Sequence, residues 1–124
     1  MTKTKYKKLV IDRKKWFRGQ GDEFSKLVLS DGNMCCLGFL GVECEIPKKN
    51  MKDKGTPENV IKLKRKMWPS KVISLDDDWS YGYNTKWTDN AMFINDDSDI
   101  TEKQRESKLK THFKKIGYIV SFVN

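Results

Sequence analysis

The chain has 124 residues, with 25 Lys and Arg against 17 Asp and Glu, a formal charge of +8, 37% apolar and 34% charged residues. Leu, Ile, Val and Phe together make 29 residues, or 23%; that supports one lean core and a single domain over 1–124. The longest uncharged stretch, Gly32 to Val42, is eleven residues, against roughly 20 for a spanning helix, and the Lys-rich start lacks the apolar centre of a signal peptide, so no membrane is expected and the cytoplasm is.

In chain order, Met1 to Lys5 reads as a frayed tail. Tyr6, Val10, Arg13 and Phe17, with Leu9 and Trp16, fall at helical spacing and predict an amphipathic helix that stops at Gly19. Gly19 and Gly21 around Gln20 make a flexible connection. Ser25 to Ser30 reads as a short strand, and Asp31-Gly32-Asn33 as a tight turn. Met34 to Cys44 (MCCLGFLGVEC) is the most apolar stretch and predicts a short buried helix whose Gly38 and Gly41 let a neighbour approach; a strand continuing a hairpin is the competing reading. Pro47 closes it, and Lys48 to Gly55 reads as a solvated loop.

Thr56-Pro57-Glu58 opens a helix through Val60, Leu63 and Met67, ended by Pro69. Lys71 to Leu75 is a strand or an extended connection, followed by a polar loop, DDDWSYGYN. Asn84 or Thr85 caps a helix through Trp87, Ala91, Met92 and Ile94, and Asn95 to Asp99 reads as a turn. Thr101 with Gln104 forms a capping box that opens a helix carrying Leu109, Phe113 and Ile116 until Gly117. Tyr118 to Val123 is a strand expected to pair with Leu27 to Leu29. The expected fold class is α+β, about four helices packed on a small antiparallel β ribbon.

The charge is unevenly distributed. Residues 1–75 carry a net +10, residues 76–102 a net −7 and residues 103–124 a net +5. Of the basic residues 21 are Lys and 4 are Arg. Lys acts as a point charge where Arg makes forked contacts to phosphates and base edges, so this balance disfavours sequence-specific DNA reading.

Catalytic chemistry has thin support. Cys35 and Cys36 are neighbours, too close for an unstrained disulfide. With Cys44 and the single histidine, His112, they lack the paired spacing of a zinc site, so buried free thiols are expected and no metal. His112 has no orienting group near it in sequence. Asp76 to Asp78 and Asp96, Asp97 and Asp99 are conceivable Mg²⁺ ligands, but the second group precedes a helix start, where carboxylates are favoured anyway. No catalytic residue and no cofactor is assigned, and the protein is read as non-enzymatic.

Binding is the more natural use of these residues. Around Trp16 and Phe17, lysines, Arg13, Arg18 and the Gly19-Gln20-Gly21 backbone combine charge with an indole, a set able to stack a base and neutralise phosphate. The plainer alternative makes Trp16 a core anchor and the lysines a solvated face. Trp79, Tyr81, Tyr83 and Trp87 form a second aromatic group, readable as a contact patch or as cover for the core.

WFRGQG at 16–21, MCCLGFL at 34–40, TPENV at 56–60, WP at 68–69 and AMFINDD at 91–97 occur in an order that resembles a family of small phage-encoded proteins with a CCLG segment and a late Leu-Asn-Asp or Ile-Asn-Asp turn before the last helix. The likeness spans most of the chain; Phe39-Leu40 after CCLG and the C-terminal strand depart from it. It implies a phage or prophage origin and action in the bacterial host cytoplasm, and brings no established activity. The expected function is a non-enzymatic binder that blocks a host defence component by sequestering an anionic nucleotide signal or occluding a host protein. Its ligand-binding candidates are Arg13, Trp16, Arg18, Gln20, Asn95 and Asp96. The alternative is a sequence-nonspecific nucleic-acid-binding accessory protein.

Overall fold

A computed structural model describes residues 6–18, 26–53 and 86–124. Among them the chain forms β1 (Lys7–Asp12), α1 (Cys36–Glu43), α2 (Lys48–Met51), α3 (Lys86–Asp96), α4 (Glu102–Lys114) and β2 (Tyr118–Val123). The fold is mixed α+β, but the ribbon is parallel, not antiparallel: β1 pairs with β2 from Lys7 opposite Tyr118 to Asp12 opposite Val123. The two ends of the chain thus lie side by side, and the elements between them make the crossover.

The segment from Tyr6 to Phe17 is therefore not a helix. Leu9 and Ile11 are buried while Lys8 and Val10 are exposed, the period of two that β2 repeats with Tyr118 and Val120 inward and Ile119 and Ser121 outward. Asp12 ends the strand by accepting the Lys14 backbone N–H on Oδ1 at 3.0 Å. The helical spacing of the aromatic residues was accidental, because Trp16 lies beyond the strand and its closing turn, in a bridge to Met34.

Leu27 to Leu29 is not the partner of β2. The segment is held against α1 and the end of α2: Cys35 N–H donates to the Lys26 carbonyl at 3.2 Å, and Val28 C=O accepts from Asp53 N–H at 2.8 Å. Leu27 and Val28 are both buried, which an alternating strand with one solvated face does not permit. The Asp31-Gly32-Asn33 turn forms as expected, with Gly32 at φ +90 and Asp31 Oδ1 accepting from Asn33 N–H.

The buried helix over the apolar stretch is α1, in which Cys36 to Gly41 are all buried; a helix apolar on every side belongs at the centre of the core. Gly38 makes this position possible, since a Cβ there would overlap the Leu27 carbonyl and lie 2.8 Å from Met34 Cβ. Lys48 to Met51, expected as loop, makes one helical turn because Met51 is drawn fully into the core.

The capping box of α4 is present in both directions, Gln104 N–H to Thr101 Oγ1 at 3.1 Å and Thr101 N–H to Gln104 Oε1 at 2.9 Å. Gly117, at φ +88, closes the helix. The tail at 1–5, the Gly19 to Gly21 connection, and the expected elements from Thr56 to Thr85 lie outside the described residues. No helix among the described residues is long and apolar enough to cross a membrane.

Candidate functional site

Trp16 follows the turn that ends β1 and is tied to the start of the apolar segment: Phe17 N–H donates to the Met34 carbonyl at 2.7 Å and Met34 N–H to the Lys15 carbonyl at 2.9 Å. These bonds bring WFR beside MCC. α3 then places Asn95 against both. Asn95 Oδ1 accepts from Trp16 Nε1 at 2.7 Å and from the Cys36 backbone N–H at 3.0 Å. Its Nδ2 donates to the Phe17 carbonyl at 3.1 Å and to Asp96 Oδ1 at 2.8 Å.

An amide side chain offers two donors and two acceptor lone pairs, and Asn95, fully buried, uses all of them. The bond to Cys36 also solves a problem local to α1. Its N-cap residue, Cys35, makes no side-chain capping bond, and the first N–H groups of a helix have no partner within it. Asn95 supplies the missing acceptor from 59 residues away.

Around this amide lie three arginines and two glutamates. Arg13 makes a forked pair with Glu106, Nε to Oε2 at 2.7 Å and Nη2 to Oε1 at 2.8 Å. Those hydrogen bonds hold the Glu106 carboxyl below its ordinary range and raise the Arg13 guanidinium. Arg18 pairs with Glu102 at 2.9 Å and lies 4.3 Å from the centre of the Trp16 ring. Arg105 donates through Nη1 to the Ile94 and Asn95 carbonyls at 3.0 and 2.7 Å and through Nε to Glu102 Oε1 at 3.0 Å. It closes the end of α3, which is why the helix runs to Asp96 and the expected turn from Asn95 begins later, where Asp97 Oδ1 accepts from Asp99 N–H.

Of the expected ligand-binding residues, Arg13, Trp16, Arg18, Asn95 and Asp96 are thus brought to one place, and Gln20 lies outside the described residues. Their polar groups are engaged with one another. Trp16 is only 4% exposed and packs on the Phe122 ring at 5.1 Å, so the indole acts as the core anchor and offers no open face to a base. The sequence reading missed Arg105, Glu102 and Glu106. Their signal was an Arg-Glu pair one turn inside a capped helix, with Glu102 three residues before Arg105.

The reactive side chains are engaged elsewhere. His112 Nε2 lies 2.7 Å from the Trp87 carbonyl, which can only accept, so the proton sits on Nε2. Trp87 Nε1 returns a bond to the His112 carbonyl at 3.0 Å, and the two rings stack at 4.6 Å. Trp87 therefore covers the core instead of lining a contact patch; Trp79, Tyr81 and Tyr83 lie outside the described residues. Burial lowers the His112 pKa.

The three thiols are free. Burial pushes Cys35 up to about 12, Cys36 well above its ordinary value and Cys44 upward too. Cys36 Sγ lies 3.8 Å from the Ala91 carbonyl and Cys44 Sγ 3.7 Å from the Tyr118 hydroxyl. Among the described residues no three His, Cys, Asp or Glu side chains are placed to hold a metal ion. No known protein family, curated protein or solved structure matches this chain.

Proposed function

We propose that the protein is a non-enzymatic binding protein that attaches electrostatically to an anionic partner, and that it works in a bacterial host cell as a phage accessory factor occluding a host component. One observation carries the choice of ligand: the three arginines among the described residues, Arg13, Arg18 and Arg105, are each paired with a glutamate, which leaves contact with the partner, among those residues, to lysines. Lysines act as point charges and favour an extended polyanion, such as a nucleic acid backbone, over a small molecule read by forked bonds. The non-enzymatic reading is supported by the three cysteines and the histidine: Cys35, Cys36 and His112 are buried and Cys44 partly so, burial raises the thiols and lowers the imidazole, and Cys36, Cys44 and His112 face a backbone carbonyl or a phenol.

Calorimetry with cyclic and linear mononucleotides and with a short DNA duplex, each at two salt concentrations, tests the proposal. The duplex is expected to bind with an affinity that falls steeply with salt, and the mononucleotides weakly. A mononucleotide bound tightly and insensitively to salt would instead support sequestration of a nucleotide signal.

A further inference from the structure

On α4, Leu109 and Phe113 point into the core, and Arg105 and His112 are buried beside them. On the opposite side Lys103, Ser107, Lys110 and Lys114 are all exposed. At 100° per residue the three lysines fall within about 40° of one another, with axial separations of about 10.5 and 6 Å, a row of about 16 Å. Lys108 is also exposed but lies about 120° or more around the helix from the row.

The acids of the same helix offset this row only in part, since Glu106, within electrostatic reach of Lys110, is also bound elsewhere. Glu106 is gripped by Arg13, and Glu102 is bridged between Arg18 and Arg105, so three guanidinium charges stand against two carboxylates. Lys110 and Lys114 lie 5.9 and 5.6 Å from the Phe122 and Tyr6 ring centres, contacts that steady the stems and leave the exposed ammonium groups able to meet a ligand.

We infer that the Lys103–Lys110–Lys114 row of α4 is a docking face for the phosphate backbone of a nucleic acid, engaged without base reading. This rests on the anionic partner proposed above and names its surface. On α4 itself the row is made of Lys and Ser, and the aromatic rings next to it, Tyr6 and Phe122, each lie under a lysine ammonium, whereas a protein partner needs a buried apolar or aromatic anchor at the centre of its contact and a membrane surface needs an apolar face to insert; the apolar side of α4 faces the core. A phosphate backbone asks only for cations in line, and contacts of this kind position a protein without specifying sequence.

The test compares three proteins on two unrelated 20-base-pair DNA duplexes between 50 and 200 mM salt: the native chain, K103Q/K110Q/K114Q, and K48Q/K49Q/K52Q, which changes net charge equally at exposed lysines away from α4. Circular dichroism checks that each is folded. The α4 triple is expected to lose at least tenfold affinity at 50 mM salt on both duplexes and to flatten the log affinity against log salt slope by about 2.7, the value for three phosphate contacts. The control triple is expected to lose less than threefold. Equal weakening of both triples would overturn the assignment to α4 while leaving the anionic partner standing. Competition by poly-glutamate as strong as that by DNA would overturn nucleic acid as the ligand class. Absence of duplex binding by the native chain at 50 mM salt overturns both this inference and the reading beneath it.

Discussion

Replacing Asn95 by alanine tests whether one amide holds α1, α3 and the Trp16 turn together. The substitution strands two buried donors, Trp16 Nε1 and the Cys36 N–H, and removes a donor from the half-buried Phe17 carbonyl. Each buried group left unsatisfied costs about 1–3 kcal/mol. Phe17 can turn to water, so the two buried donors dominate, and after partial relaxation the loss is about 3 kcal/mol. With an m-value of about 1.5 kcal/mol/M in urea, the midpoint of unfolding followed by circular dichroism moves down by about 2 M.

Asn95→Asp sharpens the test. The aspartate keeps the Oδ1 acceptor but sets a charged oxygen against the Phe17 carbonyl and the Asp96 carboxylate, so it is at least as destabilising as alanine at pH 7. Burial raises the new carboxyl's folded pKa, the folded state then binds the proton more tightly than the unfolded one, and this variant gains stability as pH falls. Trp16→Phe in combination with Asn95→Ala is expected to show a coupling of about 1 kcal/mol or more. A loss below 1 kcal/mol for Asn95→Ala, or an Asn95→Asp protein as stable as the native one at neutral pH, would refute the assigned role.

The other expectations concern single positions. His112 has a folded pKa below its ordinary value because it is buried, so its share of stability is complete above about pH 6.5 and is lost as pH drops through that value toward the folded pKa; melting temperatures at pH 7.5 and 5.5 should differ, and His112→Gln should narrow the difference. With Cys35 and Cys36 fully buried and Cys44 partly so, a thiol reagent at pH 8 should label the folded chain at Cys44 alone and slowly, and all three thiols in urea; fast native labelling of three would contradict this packing. Gly38→Ala drives a methyl into the Leu27 carbonyl and should lower stability by about 3 kcal/mol, read from the urea midpoint; a neutral effect would show that α1 is not seated against that strand of backbone. Arg105→Lys retains the charge but not the geometry that reaches two carbonyls and Glu102 at once, and a loss of about 2 kcal/mol is expected in the same assay.

What could be read from the sequence was what local chemistry decides. The Thr101–Gln104 box, the Gly117 stop, the Asp31-Gly32 turn and the buried character of MCCLGFL depend on neighbours a few residues away, and each appears as expected. The pairing of β2 was not legible because it depends on a strand 111 positions earlier, and Lys7 to Asp12 is short enough for its aromatic flank to mimic a helical stripe. The candidate site was half legible: Arg13, Trp16, Arg18, Asn95 and Asp96 converge, but sequence alone does not distinguish a polar group that awaits a ligand from one already bonded. The number of partners each side chain has in the fold decides that.

The division of labour between arginine and lysine follows from how small this core is. With few large apolar residues, burial alone fixes the relative placement of α1, α3 and α4 weakly, and the forked arginine pairs and the Asn95 amide add directional bonds where packing is lean. Arginine suits that task because its donors are planar and preorganised; lysine would lose more freedom for fewer bonds. Three of the four arginines are consequently tied to glutamates of α4, Arg105 buried and Arg13 and Arg18 partly exposed, while the lysines on α4 remain on the surface. Among the described residues the basic charge behind the net +8 therefore has two unlike parts: three guanidinium groups bound to two glutamates within the fold, and the exposed ammonium groups of the α4 row. Removing a guanidinium should appear as lost stability with little change in salt-dependent binding; removing α4 ammonium groups should do the reverse.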